Sequence, residues 1–240
     1  MKRAALIVYC DNTQSGQLPG PCKDYINFRN YLLSNLGGNW YENEVNSLRN
    51  PTFQELKDCV VNCMSNKDYT FIVFSGHGYI QQVRGLDIQY LELKDANVSI
   101  NDLISNAKRQ TIVIDACRGR IDNNYEVTQK GLDDVIELAE SNYNTRFKFD
   151  TNIMKADEGV TVLYSADINQ TSLDTKIGGA YIFSLIDSVK SFNKQKILNS
   201  ITTVQEAHYL AKAYIKIFPT VQNPVMSNEK RLIHFPFAVR

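Results

Sequence analysis

The sequence predicts an α/β fold, a three-layer α/β/α sandwich around a mainly parallel six-stranded sheet. Three observations carry that expectation. The chain has 240 residues, of which 43% are apolar and 22% charged, the size and balance of one large domain with a packed core. Four short apolar, β-branched runs are continuous rather than alternating, as strands covered on both faces are. Segments of helical spacing fall between them, the alternation that yields a parallel sheet.

The first strand is expected over Ala4–Cys10, a run too short to cross a bilayer. Asp24–Leu36 follows as a helix with Tyr25, Phe28, Leu32 and Leu36 on one face and Gly37-Gly38 as its stop. Glu44–Leu48 reads as an added strand. Thr52–Met64 reads as a helix opened by Pro51-Thr52 and a capping-box Glu55. Strands are expected at Thr70–Phe74, Thr111–Ile114 and Val160–Tyr164, and helices at Ser99–Lys108, Gly178–Lys190 and Val204–Phe218. Gly119–Gly159, rich in Asn, Asp, Lys and Thr, reads as a long irregular segment with one helix over Leu132–Ala139. Such a stretch inside a domain points to function.

Composition excludes several roles. Lys plus Arg is 26 and Asp plus Glu is 26, so the formal net charge is zero. No long-range pull toward nucleic acid or an anionic membrane follows, and neither is expected as a partner. The cysteines Cys10, Cys22, Cys59, Cys63 and Cys117 form an odd set without a secreted-type framework, which points to a reducing, cytoplasmic setting. Cys59 and Cys63 lie four apart on a helix with no second pair to complete a metal site, so they read as core. Trp40, His208 and His234 read as structural. No apolar run suits a transmembrane helix, and no glycine-rich phosphate loop or dinucleotide fingerprint is present.

Two strand ends carry chemistry. One strand stops at Ser75-Gly-His77-Gly78, another at Asp115-Ala-Cys117-Arg118-Gly119. In open α/β sheets, sites gather at the carboxyl ends of strands. If these strands are neighbours, Cys117 and His77 form a nucleophile and base pair. The thiolate attacks, the imidazole holds the proton and returns it to the leaving amine, and the N–H groups of Gly78 and Cys117 receive the oxyanion. That chemistry is acyl transfer, most simply amide hydrolysis.

Asp115-Ala-Cys-Arg-Gly119 resembles the caspase signature, and Ser-Gly-His-Gly its histidine motif. The chain resembles the caspase and metacaspase superfamily of cysteine peptidases along nearly its whole length. Leu18-Pro-Gly-Pro-Cys-Lys-Asp24, Ser165–Asp174 with Gln170-Thr-Ser-Leu-Asp174, and Gly178-Gly-Ala-Tyr-Ile-Phe183 are similar to further metacaspase segments. The resemblance implies a caspase-like fold in one domain, 1–240, with a large-subunit-like part (1–118), an intervening loop (119–159) and a small-subunit-like part (160–240). It implies that His77 and Cys117 act as a dyad whose imidazole is oriented by a backbone carbonyl. Asp115 stands where caspases carry Gln, and with Asp24 it matches the carboxylates that line the metacaspase pocket. Two carboxylates there favour Arg or Lys before the cut bond and repel Asp. Ser75, Ser165 and Asp174 are further candidates for this pocket, with Asp167 an alternative to Asp174.

The expected partners are therefore protein or peptide substrates with Arg or Lys before the cut, together with an activating protease or regulator. Self-cleavage is expected after the nucleophile, at Arg146 or Lys148, then Lys130. No cofactor is required by this reading. Some metacaspases need calcium; here Asp95 and Asp102 form only a partial site, short of the six to eight oxygens calcium takes unless Asp122 and carbonyls join. Two other readings stand beside the peptidase. One is a catalytically idle caspase-like scaffold; the other is a flavodoxin-like binder using Asp11–Gly16 as a phosphate loop.

Overall fold

Strand β1 (Arg3–Tyr9) is buried along almost its whole length, and its side chains alternate between two apolar layers. Ala5 and Ile7 enter one core, while Ala4, Leu6 and Val8 enter the other. This two-sided burial is what a continuous apolar run encodes. The structure is a computed structural model that describes residues 1–120, 143–193 and 200–239.

In chain order, β1 is followed by the short strands β2 (Asn12–Thr13) and β3 (Gly16–Gln17), helix α1 (Pro21–Leu33), β4 (Val45–Arg49), α2 (Phe53–Asn62) and β5 (Tyr69–Ser75). Then come β6 (Gly78–Val83), β7 (Leu86–Glu92), β8 (Asn97–Ser99), β9 (Arg109–Asp115), α3 (Tyr143–Lys155) and β10 (Gly159–Tyr164). The remainder is β11 (Asp174–Thr175), β12 (Gly178–Gly179), α4 (Ala180–Asn193), β13 (Ile201–Thr203), α5 (Val204–Tyr214), β14 (Val225–Met226) and β15 (Pro236–Val239). The central sheet has six strands in the order β14-β10-β9-β5-β1-β4. Only the edge strand β14 pairs antiparallel.

Helices α1, α3, α4 and α5 cover one face through residues such as Phe28, Phe149, Leu185 and Ala207, joined by Phe235 and Phe237 near the C-terminus. Helix α2 and the β6–β8 sheet cover the other through Leu56, Val60, Leu91 and Val98. Cys59 and Cys63 pack against this second core, and all five cysteines are free thiols. Trp40 and His208 are buried, the latter hydrogen-bonded to Tyr181 Oη at 2.7 Å. No helix among the described residues is long and apolar enough to cross a membrane.

Three expectations are corrected. Ser99–Lys108 is not a helix: after β8 it makes a single 3-10 turn over Ile100–Leu103. Buried Gln110 takes the Leu103 carbonyl (2.9 Å) and the Ser105 N–H (3.1 Å), groups that a further helical turn would need. Gly178 and Gly179 do not begin α4, because they pair with Asp174 and Thr175 in a two-strand ladder. The segment 119–159 holds the helix α3 where an irregular loop was expected. That helix is pinned to the N-terminal half by a buried charge network. Arg3 Nη1 meets Asp150 Oδ1 at 2.8 Å, Arg3 stacks 4.3 Å from the Trp40 ring centroid, and Arg146 Nη1 meets Glu44 Oε2 at 2.8 Å. The expected helix at Leu132–Ala139 lies outside the described residues.

Candidate active site

Strands β5 and β9 run parallel with Ser75 opposite Asp115. Beyond that pair the Gly76 N–H donates to the Asp115 carbonyl at 3.1 Å. His77 and Cys117 therefore leave the sheet side by side at its carboxyl edge. They line one small cavity, of about 40 Å³, together with Ser75, Asp115, Ser172 and Asp174. No hydrogen bond joins them: the Cys117 Sγ–H donates to the Ser172 carbonyl at 3.8 Å, and His77 Nε2 is buried without a partner.

Both groups are held neutral. Burial pushes the Cys117 thiol up, and the charges of Asp115 and Asp174 push it the same way. Burial pulls the His77 imidazole below its ordinary value, partly offset by the charge of Glu92 and by a hydrogen bond to the Gly16 backbone. A neutral imidazole with an open Nε2 can accept a proton, which is the property a general base needs. Gly16 lies at the start of β3, in the short hairpin after β1.

Gly78, expected as an oxyanion donor with Cys117, lies beside Ala116, the residue before Cys117: a Cβ on it would stand 2.9 Å from Ala116 Cβ. The Glu92 N–H donates to the His77 carbonyl at 3.0 Å, so Gly78 and Leu91 form a non-hydrogen-bonded pair in the β6–β7 ladder. The Gly78 N–H then points away from β7, to the side on which the Ile80 N–H donates to the Gly119 carbonyl at 2.9 Å. The Cys117 N–H makes no backbone hydrogen bond among the described residues.

Asp115 and Asp174 line the cavity, whereas Asp24, expected there, lies outside the lining, behind Ser75 and Gly179. Asp24, wholly buried at the start of α1, accepts from Ser75 Oγ at 2.6 Å and from the Gly179 N–H at 2.9 Å. Asp115 accepts from Ser172 Oγ and from the Ile182 N–H. Asp174 accepts from the Gly20 N–H at 3.1 Å. No Lys or Arg among the described residues pairs with any of them. Burial pushes Asp24 well up, and repulsion from Asp115 adds to it. Burial also raises Asp115. Asp174 is pushed up to about 7, first by burial. Gly179 is required here, since a Cβ on it would lie 2.2 Å from Asp115 Oδ2.

Ser75 and Asp174 line the cavity as expected; Ser165 does not. It is fully buried beneath the nucleophile turn, where its Oγ accepts from the Ala116 N–H at 3.2 Å, so it positions that turn rather than meeting a ligand. Asp167 also lies outside the cavity lining and accepts from the Ile168 N–H. Arg146 and Lys148 sit within α3, and the Glu44 ion pair holds Arg146. The expectation that they occupy an accessible irregular loop is corrected; Lys130 lies outside the described residues. Asp95 accepts from the Phe53 N–H at the start of α2, and Asp102 caps the 3-10 turn through the Ser99 N–H. No cluster of three or more His, Cys, Asp or Glu suited to a metal gathers among the described residues.

Sequence reasoning did not single out Ser172, Gly16 or Gln89. Ser172 stood inside a quoted motif and Gly16 at the end of the Asp11–Gly16 segment; Gln89 reaches the Cys117 turn through an approach between distant segments that no local pattern signals.

The chain matches the family described as Peptidase_C14, the caspase domain, over residues 2–230. No curated protein matches it. Among solved structures, protein GSU0716 from Geobacter sulfurreducens superposes with a TM-score of 0.60 at 14% identity, covering 100% of this chain and 99% of that one. Caspase-1 from Spodoptera frugiperda superposes with a TM-score of 0.60 at 13% identity, covering 94% of this chain and 86% of that one. At such identities the likeness concerns the fold, which is caspase-like.

Proposed function

The chain belongs to the caspase-domain family of peptidases, and from that premise we propose that it is a cysteine endopeptidase that cuts after Arg or Lys. The observation that carries the specificity is Asp115 and half-buried Asp174 lining one cavity, with Asp24 buried directly behind Ser75 and Gly179 of that lining, and no cation among the described residues upon the three. A guanidinium or ammonium supplies the missing countercharge, draws the protons from the raised carboxyls and gains charge-assisted hydrogen bonds. A substrate Asp side chain meets only repulsion.

The reaction follows from the groups beside that cavity. As the substrate docks, the Cys117 proton passes to His77 Nε2. The sulfur attacks the carbonyl carbon of the bond after the bound Arg or Lys. The carbonyl oxygen takes the negative charge and accepts from the N–H groups of Gly78 and Cys117. As the C–N bond breaks, His77 returns its proton to the leaving amine. Water, deprotonated by His77, then attacks the thioester; hydrolysis releases the acid and restores the thiol.

Self-cleavage belongs to the same proposal. Lys130 is the sole Lys or Arg between Arg120 and Arg146, and Arg146 and Lys148 are bound up in α3. A single cut after Lys130 is therefore the form the proposal takes. The five free thiols are compatible with a reducing cytoplasm.

The test is peptide hydrolysis. Arg- and Lys-ended fluorogenic peptides are expected to be cut and an Asp-ended one spared. Equal cleavage of all three, or of the Asp-ended peptide alone, refutes the specificity.

A further inference from the structure

Gln89 on β7 is almost fully buried, at 4% exposure, and lies between the two candidate oxyanion donors. Its Nε2 donates to the Cys117 carbonyl at 3.1 Å and to the Tyr90 carbonyl at 3.2 Å. The same nitrogen sits 3.0 Å from where a Cβ on Gly78 would stand. Its Oε1 accepts from Arg118 Nε at 3.0 Å. Arg118 is itself fixed: Nη1 donates to the Ala166 carbonyl at 3.2 Å, and the guanidinium lies 4.1 Å from the Tyr164 ring centroid. Because Arg118 only donates, it fixes which end of the Gln89 amide carries the oxygen. Both amide hydrogens then face the two carbonyls.

The peptides on either side of Cys117 are tied down as well. The Ala116 carbonyl accepts from Ser165 Oγ at 3.4 Å, and the Arg118 N–H donates to the Gln170 carbonyl at 2.9 Å. Gln89 adds a side-chain tie, at the Cys117 carbonyl itself, between that turn and the β6–β7 hairpin, beside the Ile80 N–H to Gly119 carbonyl bond farther along. Without a Cβ, Gly78 lets that hairpin close: a Cβ there would come within 2.9 Å of Ala116 Cβ.

We propose that Gln89, oriented by Arg118, is a positioning residue that sets the spacing between the Gly78 and Cys117 N–H groups in the reaction's transition state. The inference rests on the peptidase reading above and adds a residue outside both of its motifs. Gln89 touches neither substrate nor reacting atoms, so its effect falls on turnover rather than binding. Misplacing a preorganised donor by about 1 Å can cost about a hundredfold in rate.

Gln89→Glu separates this role from a merely structural one. A carboxylate still accepts from Arg118 and satisfies that buried cation, yet it cannot donate to the Cys117 carbonyl. With an Arg-ended fluorogenic peptide, the variant is expected to lose at least tenfold in kcat, with KM within threefold of the unaltered chain and the melting temperature little changed. A kcat loss below tenfold, or a loss confined to KM, overturns the proposal. Should the Glu variant fold poorly, Gln89→Met is judged by the same kcat threshold on its folded fraction. Silence of the unaltered chain itself overturns the peptidase reading and this inference together; an active unaltered chain with an equally active Gln89→Glu overturns this inference alone.

Discussion

Ser75 and Asp115 face each other across the β5–β9 pairing, and that one register pair places the residues to which the proposal assigns chemistry and selectivity. Two residues beyond it stand His77 and Cys117. On it, Ser75 donates to Asp24 while Asp115 borders the same cavity. The proposed nucleophile, base and anionic pocket thus share one strand junction.

Replacing Asp115 or Asp24 by Asn removes one charge while keeping shape and one acceptor. A hydrogen bond to a charged group contributes about 1.5–3 kcal/mol. Each variant should therefore lose about ten- to a hundredfold in kcat/KM on Arg-ended peptides, mostly through KM. Steady-state kinetics on matched peptides ending in Arg and in citrulline, its neutral analogue, checks this: the preference for Arg should shrink in the variants.

The pocket should also sense pH. Asp174 titrates near 7 in the folded chain, against about 4 when unfolded. The native state then binds more protons across that window, so this group's contribution makes stability fall as pH rises from about 4 to 7. A bound cation needs the charged form and relieves the same penalty. A guanidinium-ended small molecule such as agmatine should raise the melting temperature more at pH 8 than at pH 5. Asp174→Asn should flatten that difference, and a shift independent of pH would count against a titrating pocket.

The main strands were legible because burial on both faces leaves continuous apolar runs, and His77 and Cys117 because they follow such runs directly. Ser99–Lys108 misled because its helical spacing is overridden by Gln110, a residue from the next strand that takes over a carbonyl and an amide. Helix α3 was hidden because its buried positions, Phe149 and Ile153, are spaced among Asn, Thr and Lys, and its anchors Glu44 and Arg3 lie 102 and 147 residues upstream of their partners. Asp24 and Asp115 were reachable only through resemblance. Gln89 had no local signature at all, and Gly16 stood only at the end of the Asp11–Gly16 segment, read there for a different role.

The same anchors give a stability test away from the site. Asp150→Ala removes the partner 2.8 Å from the fully buried Arg3 side chain. Leaving a buried charge uncompensated costs about 3 kcal/mol. Denaturant unfolding should report a loss of that order, while kcat of the folded fraction stays as it was. A loss below about 1 kcal/mol would show that Glu44 and the Gly38 and Asn39 carbonyls suffice for Arg3.

Self-cleavage, if it matures the enzyme, should separate residues 1–130 from 131–240. Intact-mass analysis of purified chain should find those two fragments. They should vanish in Lys130→Ala and in Cys117→Ala, and persist in Lys148→Ala. Fragments ending at Arg146 or Lys148 would mean that α3 unfolds before cutting.

The most direct measurement compares the unaltered chain with Cys117→Ala on an Arg-ended fluorogenic peptide, with His77→Ala alongside. Hydrolysis by the unaltered chain, with a fall of at least a thousandfold in both variants and retained melting temperatures, is the expected result. Turnover that survives loss of the Cys117 thiol would contradict the account at its root.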